Sequence, residues 1–465
     1  MKRQVLYGSV SVVLAAGLLV FWGMQVGIFK DLDISLKKQK LNVIVISLCS
    51  LRADLFKAYG GSDEVVSEID KYLENSFVFK NALNSLPWSA PHLYLRKISK
   101  NKYKEFGYTP VGVKKGMRVE KEPGARFLLF LRNNYKKEGG IRQLISYLKQ
   151  IKESPFFLNV HMWHNHYPYA LHSLRRGSIG FGEQKFITKS NLVTINRYSS
   201  NWLNYSNKIP FLYYMFGNQI NKIKFKEFNF IKNQPVKSGL GGVIFSDQLL
   251  TKWKNSLGFA EDKLILKNFY KSKVNGFSQR LKSLFELLEE DELLKQSILI
   301  FSGDHGVDLM DSGYLHTGRG LGEKVIRFPM FVRFPNQDTS NKGKEINIQF
   351  RQSQMKRLVE DLMSGSLTQS NFLAKIKNYN SPYVYMQDCL GQKFSVRYES
   401  KYRLEIDLSN DIEHFFLLNQ KGVETEISED FPSIYWELRN KLFNHIDKAA
   451  DTYEEGRCNL DGYSS

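Results

Sequence analysis

The chain has very few cysteines, and their spacing excludes two classes of protein. Only three of its 465 residues are cysteine, namely Cys49, Cys389 and Cys458. They are too few and too far apart for a disulfide framework or for a CxxC metal or redox site. Zinc-finger spacing, RNP-like motifs and helix-turn-helix signals are also lacking, so nucleic acid is not the expected partner, although the net charge is +19.

The chain also lacks internal repeats and low-complexity tracts, and it has a single apolar run long enough to span a bilayer. That run covers residues 5–29 and follows two basic residues, and Gln25 is its only strongly polar side chain. No small-x-small cleavage motif comes after it, which favours an uncleaved signal anchor over residues 1–29. A polar linker over residues 30–41 would then lead to a main domain exported to the periplasmic or extracellular side. A cleaved signal peptide is the alternative, and it predicts the same export.

Apolar runs typical of buried strands alternate with amphipathic helical patterns over residues 42–375. The strand patterns cover residues 42–48, 155–163, 297–303 and 326–335, and the helical patterns cover residues 140–154 and 276–296. This alternation predicts an α/β domain with a mostly parallel central sheet flanked by helices.

The pattern changes after residue 375, where apolar residues recur with a period of two. YVYMQD, KFSVRYES and YRLEIDL alternate in this way, and an amphipathic pattern closes the chain. We therefore predict a small C-terminal α+β subdomain over residues 376–465, with antiparallel strands and one final helix.

Residues 170–267 are strongly basic and are predicted to be an insertion in the α/β domain. They contain 15 Lys and Arg against 5 Asp and Glu, a net charge of +10 that is more than half of the total excess. The excess is compatible with an anion-binding surface and equally with an ordinary solvated basic face.

Polar residues follow several predicted strands at the end where parallel α/β sheets bind their ligands. They are Cys49, Ser50 and Arg52 after the first strand, His164 and His166 after the second, and Asp304, His305, His316 and Arg319 after the third. His161 and His164 are interpreted as strand and edge residues. Ser89, two residues before Pro91, is predicted to lie at a helix N-terminus, where free N–H groups favour anions.

Five blocks of the chain resemble the sulfatase family of the alkaline-phosphatase-like superfamily, of which this chain would be a divergent member. The most specific block is LIFSGDHGVDLMDSGYLHTGRGLGEKVIRFPMFVRFP. The others are NVIVISLCSLRAD, PWSAPH, SPFFLNVHMWHNHYPY and the C-terminal KYRLEIDL…FFLLNQKGVETEISEDFP. The resemblance implies a metal-dependent hydrolase of sulfate esters, acting on a sulfated or phosphorylated glycan or lipid.

The resemblance also implies roles for individual residues. Asp304 and His305 match the family's late metal pair, and Ser89 matches its nucleophile. Residues matching positions that hold the ester or assist the leaving group are His166, His316, Arg319, Lys115 and, in the SLRAD loop, Arg52. Bound cations at such a site would stabilise charge in the transition state.

Two departures from the family pattern bear on that chemistry. Cys49 stands where the family has an acidic metal ligand, and a thiolate is a poor ligand for calcium or magnesium but a good one for zinc. The expected cofactor is therefore a divalent cation, either calcium, magnesium or zinc. Leu93 stands where formylglycine formation usually requires an arginine, so Ser89 is expected to remain an unmodified serine.

Simpler roles remain open for the same residues. Cys49 could be a small buried apolar residue, and Ser89 could be only a helix N-cap. Two further functions are also open. The chain could be a degenerate family member that binds an anionic glycan or lipid without turnover, or it could transfer a phospho-group.

Overall fold

The computed structural model describes residues 40–61, 64–87, 102, 105–113, 119–120, 155–162, 169, 186–200, 202–216, 247–335, 343–388, 390–419, 421–427 and 432–450. The chain divides into two units, residues 1–41 and 42–465. The anchor predicted over residues 1–29 and the helix predicted over residues 140–154 lie outside the described residues. Within the described ranges, no helix is both long and apolar enough to cross a membrane.

The described residues contain three sheets. In chain order the strands are β1 (Asn42–Leu48), β2 (Phe77–Leu83), β3 (Thr109–Val113), β4 (Val119–Glu120), β5 (Phe156–Met162), β6 (Ser297–Gly303), β7 (Asp308–Leu309), β8 (Leu315–His316), β9 (Met330–Arg333), β10 (Glu345–Arg351), β11 (Tyr383–Gln387), β12 (Lys393–Tyr398), β13 (Tyr402–Asp407), β14 (Ile412–Leu418) and β15 (Glu424–Glu426).

The central sheet has the strand order β10-β2-β9-β6-β1-β5-β3-β4 among the residues described. Strand β1 lies between β6 and β5 and is parallel to both, and every residue of β1 and β6 is buried. Runs of Val and Ile buried on both faces are typical of such strands. The prediction of a mostly parallel sheet is therefore confirmed.

Strand β9 runs antiparallel to both of its neighbours, β6 and β2. The segment between β6 and β9 contains the β7–β8 hairpin and only one four-residue helix. A parallel return usually passes through a full helix on one face of the sheet, and this segment, described throughout, contains none; it brings the chain back in the opposite direction.

The described helices flank the central sheet or the C-terminal sheet. They are α1 (Ser67–Leu73), α2 (Lys189–Ser200), α3 (Ile209–Phe216), α4 (Asp247–Lys254), α5 (Phe259–Glu290), α6 (Glu323–Ile326), α7 (Met355–Ser364), α8 (Phe372–Lys375) and α9 (Ser433–Ala450).

Helix α5 is 32 residues long and begins well before the helix predicted at residue 276. Ile265, Leu266, Phe269 and Tyr270 are buried on the core-facing side of its first half. This spacing is helical, and burial of these side chains adds hydrophobic stabilisation. The helix therefore continues without a break across residue 267, where the predicted insertion ends.

The C-terminal sheet is separate and antiparallel, with the consecutive order β11-β12-β13-β14-β15. Leu438 and Leu442 of α9 are fully buried against apolar residues of this sheet, among them Val396 and Leu404. The prediction of an antiparallel C-terminal sheet is confirmed.

Buried ionic contacts join this sheet to the central part of the molecule. Arg397 of β12 is buried; its Nη2 donates to Asn81 Oδ1 at 2.9 Å, and its Nε lies 3.3 Å from Glu323 Oε1. Arg319 Nε lies 3.3 Å from Asp388 Oδ2, just after β11. The C-terminal sheet therefore supports the loop and short helix that follow β8.

Candidate metal centre

The carboxyl ends of β1 and β6 meet at the centre of the sheet. Leu48 pairs with Gly303 in register, and the next residue, Asp304, donates its N–H to the Leu48 carbonyl at 3.0 Å. The residues that follow the two strands are therefore brought side by side. This is the edge at which parallel sheets gather ligands.

Cys49, Asp304 and His305 form a compact group of potential metal ligands at this edge. One donor atom from each lies within 4.8 Å of the others, and all three residues are buried. Cys49 Sγ lies 3.7 Å from His305 Nε2, and that nitrogen lies 3.5 Å from Asp304 Oδ1. The name donor cluster is used below for these three residues.

A hydrogen bond of His305 orients its ring so that Nε2 faces the other two members of the donor cluster. Its Nδ1 lies 2.6 Å from the Gly306 carbonyl oxygen, which can only accept, so Nδ1 carries the proton. Nε2 then keeps its lone pair on the side of Cys49 and Asp304. Gly306 is required here because a Cβ at this position would overlap the Lys324 backbone carbonyl.

Backbone groups hold the Asp304 carboxylate in place. Its Oδ1 accepts hydrogen bonds from the N–H groups of Ser50 at 3.1 Å and His305 at 2.7 Å. Ser50 has a left-handed φ of 58°, which is uncommon for a residue other than glycine. Asn84 Nδ2 donates to the Asp304 carbonyl at 2.9 Å and ties the end of β2 to the same point.

His161 lies in strand β5, as predicted, and its side chain also faces the other oxygen of Asp304, a contact that the sequence did not lead us to expect. Its Nε2 lies 3.7 Å from Asp304 Oδ2, and its Nδ1 lies 2.8 Å from Ser47 Oγ. The Ser47 hydroxyl donates to the Val160 carbonyl at 3.4 Å, and His161 Nε2 lies on the side of the carboxylate. A histidine inside a buried apolar strand needs polar partners. This requirement was the feature of the sequence that could have indicated a polar contact for His161.

The donor cluster fits zinc better than calcium or magnesium. Calcium takes about six to eight oxygen ligands, whereas this cluster offers one carboxylate, one imidazole and one thiol. Around zinc, ligand atoms at 2.0–2.3 Å from the metal stand about 3.3–3.6 Å apart. The separations of 3.5 and 3.7 Å in the donor cluster are close to that spacing.

Arg52, predicted to bind substrate, is held by two carboxylates. Its guanidinium donates to Asp54 at 2.5 and 2.8 Å and to Asp311 Oδ2 at 2.6 Å. Burial would lower the pKa of Arg52, but these ion pairs outweigh burial and raise it. For Asp311 the direction is reversed. Burial alone would raise its pKa, but the positive charges of Arg52, Lys267 and Lys324 bring that pKa well below its usual range.

Asp308 shapes the turn that carries Asp311. Its carboxylate accepts the Asp311 N–H at 2.7 Å and also bonds the backbone and side chain of Ser312. Burial raises the pKa of Asp308 to about 6. Asp308 in β7 pairs with His316 in β8, so the hairpin places the backbone of His316 next to this turn.

Ser89, Lys115 and His166 lie outside the described residues, as does His164. The described residue nearest in sequence to Ser89 is Pro87, whose carbonyl accepts the Gly318 N–H at 2.9 Å. Gly318 immediately precedes Arg319, so the PWSAPH block begins beside the HTGRG loop.

Comparisons with known proteins agree with this architecture. A sequence profile described as Sulfatase matches residues 91–369, more than half of the chain. The chain belongs to the sulfatase family. No curated protein matches this sulfatase-family chain in a sequence search.

Solved structures share the fold of this sulfatase-family chain at low identity. A 2-O GAG sulfatase superposes with a TM-score of 0.57 at 13% identity, over 90% of this chain and 95% of its own. A protein bound to its substrate D-glucosamine-2-N,6-O-disulfate gives 0.53 at 12%, over 89% and 98%. Phosphonate monoester hydrolase of Agrobacterium radiobacter gives 0.51 at 12%, over 89% and 96%.

Proposed function

We propose that this protein is a metal-dependent hydrolase of anionic esters, with sulfate esters as its first substrate class. The observation that carries the proposal is the convergence of Cys49, Asp304 and His305 at the carboxyl ends of β1 and β6. Membership of the sulfatase family supports the reaction class. The fold shared with a 2-O GAG sulfatase supports a sulfated glycan as the substrate to test first.

Zinc is the proposed cofactor, held by Cys49 Sγ, an Asp304 carboxylate oxygen and His305 Nε2. A divalent ion at this point would supply a Lewis acid that lowers the pKa of an attacking oxygen and offsets charge on the ester. Three protein ligands are the number typical of catalytic zinc sites. Backbone N–H groups orient the Asp304 carboxylate.

Ser89 is the proposed nucleophile, acting as an unmodified serine. Pro87, two residues earlier, is hydrogen-bonded to Gly318, and Asn84 is bonded to the Asp304 carbonyl. The described residues that precede Ser89 in sequence therefore lie beside the HTGRG loop and Asp304. We expect Ser89→Ala to abolish turnover and leave the melting temperature unchanged; unchanged turnover would remove Ser89 from the mechanism.

The remaining residues are proposed to bind the ester. His166 and Lys115 would hold its anionic oxygens, with His316 beside the leaving group and Arg319 close by. Arg319 has Asp388 as a fixed partner, which would orient its guanidinium. Arg52 is ion-paired with Asp311, so it would influence the substrate only through its positive charge and not through a direct hydrogen bond. Fixed cations of this kind stabilise a transferring sulfuryl or phosphoryl group.

A second candidate function is binding of an anionic glycan or lipid without turnover. The observations that favour it are Cys49 at the end of β1, where the family resemblance implies an acidic ligand, and Leu93, where it implies an arginine. Transfer of a phospho-group is a third candidate. The Asp304–His305 pair with an unmodified serine favours it, and a phosphonate monoester hydrolase shares the fold.

We also propose that residues 5–29 anchor the protein to a membrane, with the main domain on the periplasmic or extracellular side. The proposal rests on the length and polarity of that run alone. Protease protection in intact and opened vesicles tests it. Digestion of the main domain from the cytoplasmic side would contradict it.

Elemental analysis of the protein, purified without chelator, tests the hydrolase proposal first. About one equivalent of zinc, lost in Cys49→Ala, is the expected result, followed by turnover in a screen of sulfate and phosphate esters. Protein that neither contains nor takes up metal would favour the binding function instead.

A further inference from the structure

Next to the donor cluster, lysines surround the turn formed by residues 308–313. Lys267 Nζ lies 2.7 Å and Lys324 Nζ 3.2 Å from Asp311 Oδ1. Lys254 lies at the far end of the turn, where a Cβ on Gly313 would stand 2.8 Å from its Nζ. Lys263 is one helical turn before Lys267 on α5. These four residues, Lys254, Lys263, Lys267 and Lys324, are called the lysine cluster.

Helix α5 connects the lysine cluster to the donor cluster. Tyr270, one turn after Lys267, donates its hydroxyl proton to the Ser50 carbonyl at 2.9 Å and accepts the Arg52 N–H at 3.2 Å. Ser50 follows Cys49 and donates to Asp304. The lysines are thus separated from the proposed metal ligands by one turn of helix and one turn of loop.

Positive charge exceeds negative charge around this turn. Arg52 is already engaged by Asp54 and shares Asp311 with Lys267 and Lys324. The Asp308 carboxylate is turned toward its own turn, where it accepts backbone and Ser312 hydrogen bonds. Asp311 is therefore the acceptor that the nearby cations share.

Lys263 lies within the electrostatic reach of the other lysines. Burial lowers the pKa of Lys263, and Lys267 and Lys324 lower it further, whereas Asp311 and Asp308 act in the opposite direction. An added anion would relieve this repulsion. A dissolved anion can approach the lysines, because the side chains of Lys267 and Lys324 are 30% and 48% exposed, whereas those of Arg52 and Asp311 are 8% and 11% exposed.

We propose that the lysine cluster binds a second oxyanion group of a polyanionic substrate, a sulfate or carboxylate other than the ester that reacts. Asp311 is the internal acceptor that the lysines share when no substrate is bound. The inference rests on the proposed function for its substrate, but the lysines and their contacts are independent of any metal. It predicts a preference for substrates with at least two acidic groups.

The test is the dissociation constant of a heparin-derived hexasaccharide, measured by calorimetry on the full chain at low ionic strength. We expect Lys267→Met with Lys324→Met to weaken binding about 3- to 10-fold, because exposed ion pairs are individually weak and screened by salt. Asp311→Asn is expected to tighten binding, because it removes the competing carboxylate. Unchanged affinity in the double variant would overturn the proposal, and so would weaker binding by a folded Asp311→Asn.

Lys295→Met is the control matched to the single variant Lys324→Met. It removes one charge from an exposed lysine paired with Glu292, next to the amino end of β6 and a whole strand away from the donor cluster. Binding should be unchanged. If Asp311→Asn does not fold, Lys324→Glu reverses the charge of an exposed member of the lysine cluster, and it should weaken binding further than Lys324→Met.

Turnover separates this proposal from the proposed function. For a monoanionic aryl sulfate, the double lysine variant should keep kcat/KM, whereas KM for a disulfated oligosaccharide should rise about 3- to 10-fold. An equal loss for both substrates would contradict a second binding site. Absence of turnover with either substrate would refute the proposed hydrolase function. The calorimetric test would still show whether the lysine cluster binds a second anionic group.

Discussion

The donor cluster and the lysine cluster lie at the same edge of the central sheet and are built in opposite ways. Cys49, Asp304 and His305 are at most 1% exposed, and backbone N–H groups hold the Asp304 carboxylate. Lys267 and Lys324 reach solvent and are held by a shared carboxylate. Metal ligation requires fixed donor geometry, whereas attraction between charges tolerates several angstroms of movement.

The comparison predicts that substitutions in the donor cluster should affect folding and metal binding together. Substitutions of exposed lysines should affect ligand binding alone. Each experiment below would strengthen or break that distinction, and they are ordered by the size of the expected effect.

Asp304→Ala should have the largest effect. It leaves the buried N–H groups of Ser50 and His305 without their acceptor, which should lower the free energy of unfolding by about 3 kcal/mol. Asp304→Asn keeps one acceptor oxygen and should cost about 1 kcal/mol. Urea unfolding in the presence of chelator measures both, and equal stability of the two variants would show that the backbone contacts contribute nothing.

Asp308 should make stability fall as pH rises. Because burial raises its pKa to about 6, the folded state binds a proton between about pH 4 and 6 that the unfolded state has released. The stability of the natural protein relative to Asp308→Asn should therefore decline across this window, by about 3 kcal/mol at roughly 1.4 kcal/mol for each pKa unit. Unfolding curves at pH 4, 5, 6 and 7 measure the decline.

Asp311→Asn is a control for which the pH dependence of stability is expected to have the opposite sign. The pKa of Asp311 is lowered in the folded state, so its carboxylate stabilises the fold above its ordinary titration range and loses that effect as pH falls. The natural protein should gain stability over Asp311→Asn as pH rises through about 4. Unfolding curves between about pH 2 and 5 measure this gain, and a stability difference that falls with rising pH would contradict the assignment for Asp311.

His161→Phe should weaken zinc binding about 10-fold, because residues that orient a metal ligand typically contribute that much or more. His161→Gln can place an N–H group near the position of Nε2 and should recover part of the affinity. Competition with a chromophoric chelator measures zinc affinity directly. Equal affinities for the natural protein and His161→Phe would make the 3.7 Å contact with Asp304 a packing contact only.

Lys324→Met should have the smallest effect on folding. Its side chain is 48% exposed, and exposed ion pairs contribute little, so the free energy of unfolding should change by less than about 0.5 kcal/mol. A loss above about 1 kcal/mol would mean that the lysine cluster is structural and that its distinction from the donor cluster fails.

Much of this edge could be predicted from local sequence. The runs NVIVISL and SILIFSG form β1 and β6 because β-branched residues suit strands buried on both faces. Parallel pairing then brings Cys49, Asp304 and His305 together at adjacent strand ends.

Features that depend on distant contacts could not be predicted in this way. His161 meets Asp304 only because Ser47 and His161 are in register between β1 and β5. The two partners of Arg52 include Asp311, which is 259 residues away in sequence. Helix α5 begins at Phe259 because tertiary packing buries its first half, which lies within the basic composition assigned to the insertion.

The ion pairs between the C-terminal sheet and the loop after β8 have a consequence for biosynthesis. All three donor residues leave the ribosome before residue 310, but Asp388, which holds Arg319, and Arg397, which faces Glu323, follow much later. During that interval the nascent chain carries the donor cluster without the support of the neighbouring loop. Assembly of this edge of the molecule is therefore completed only after strand β12 has been synthesised.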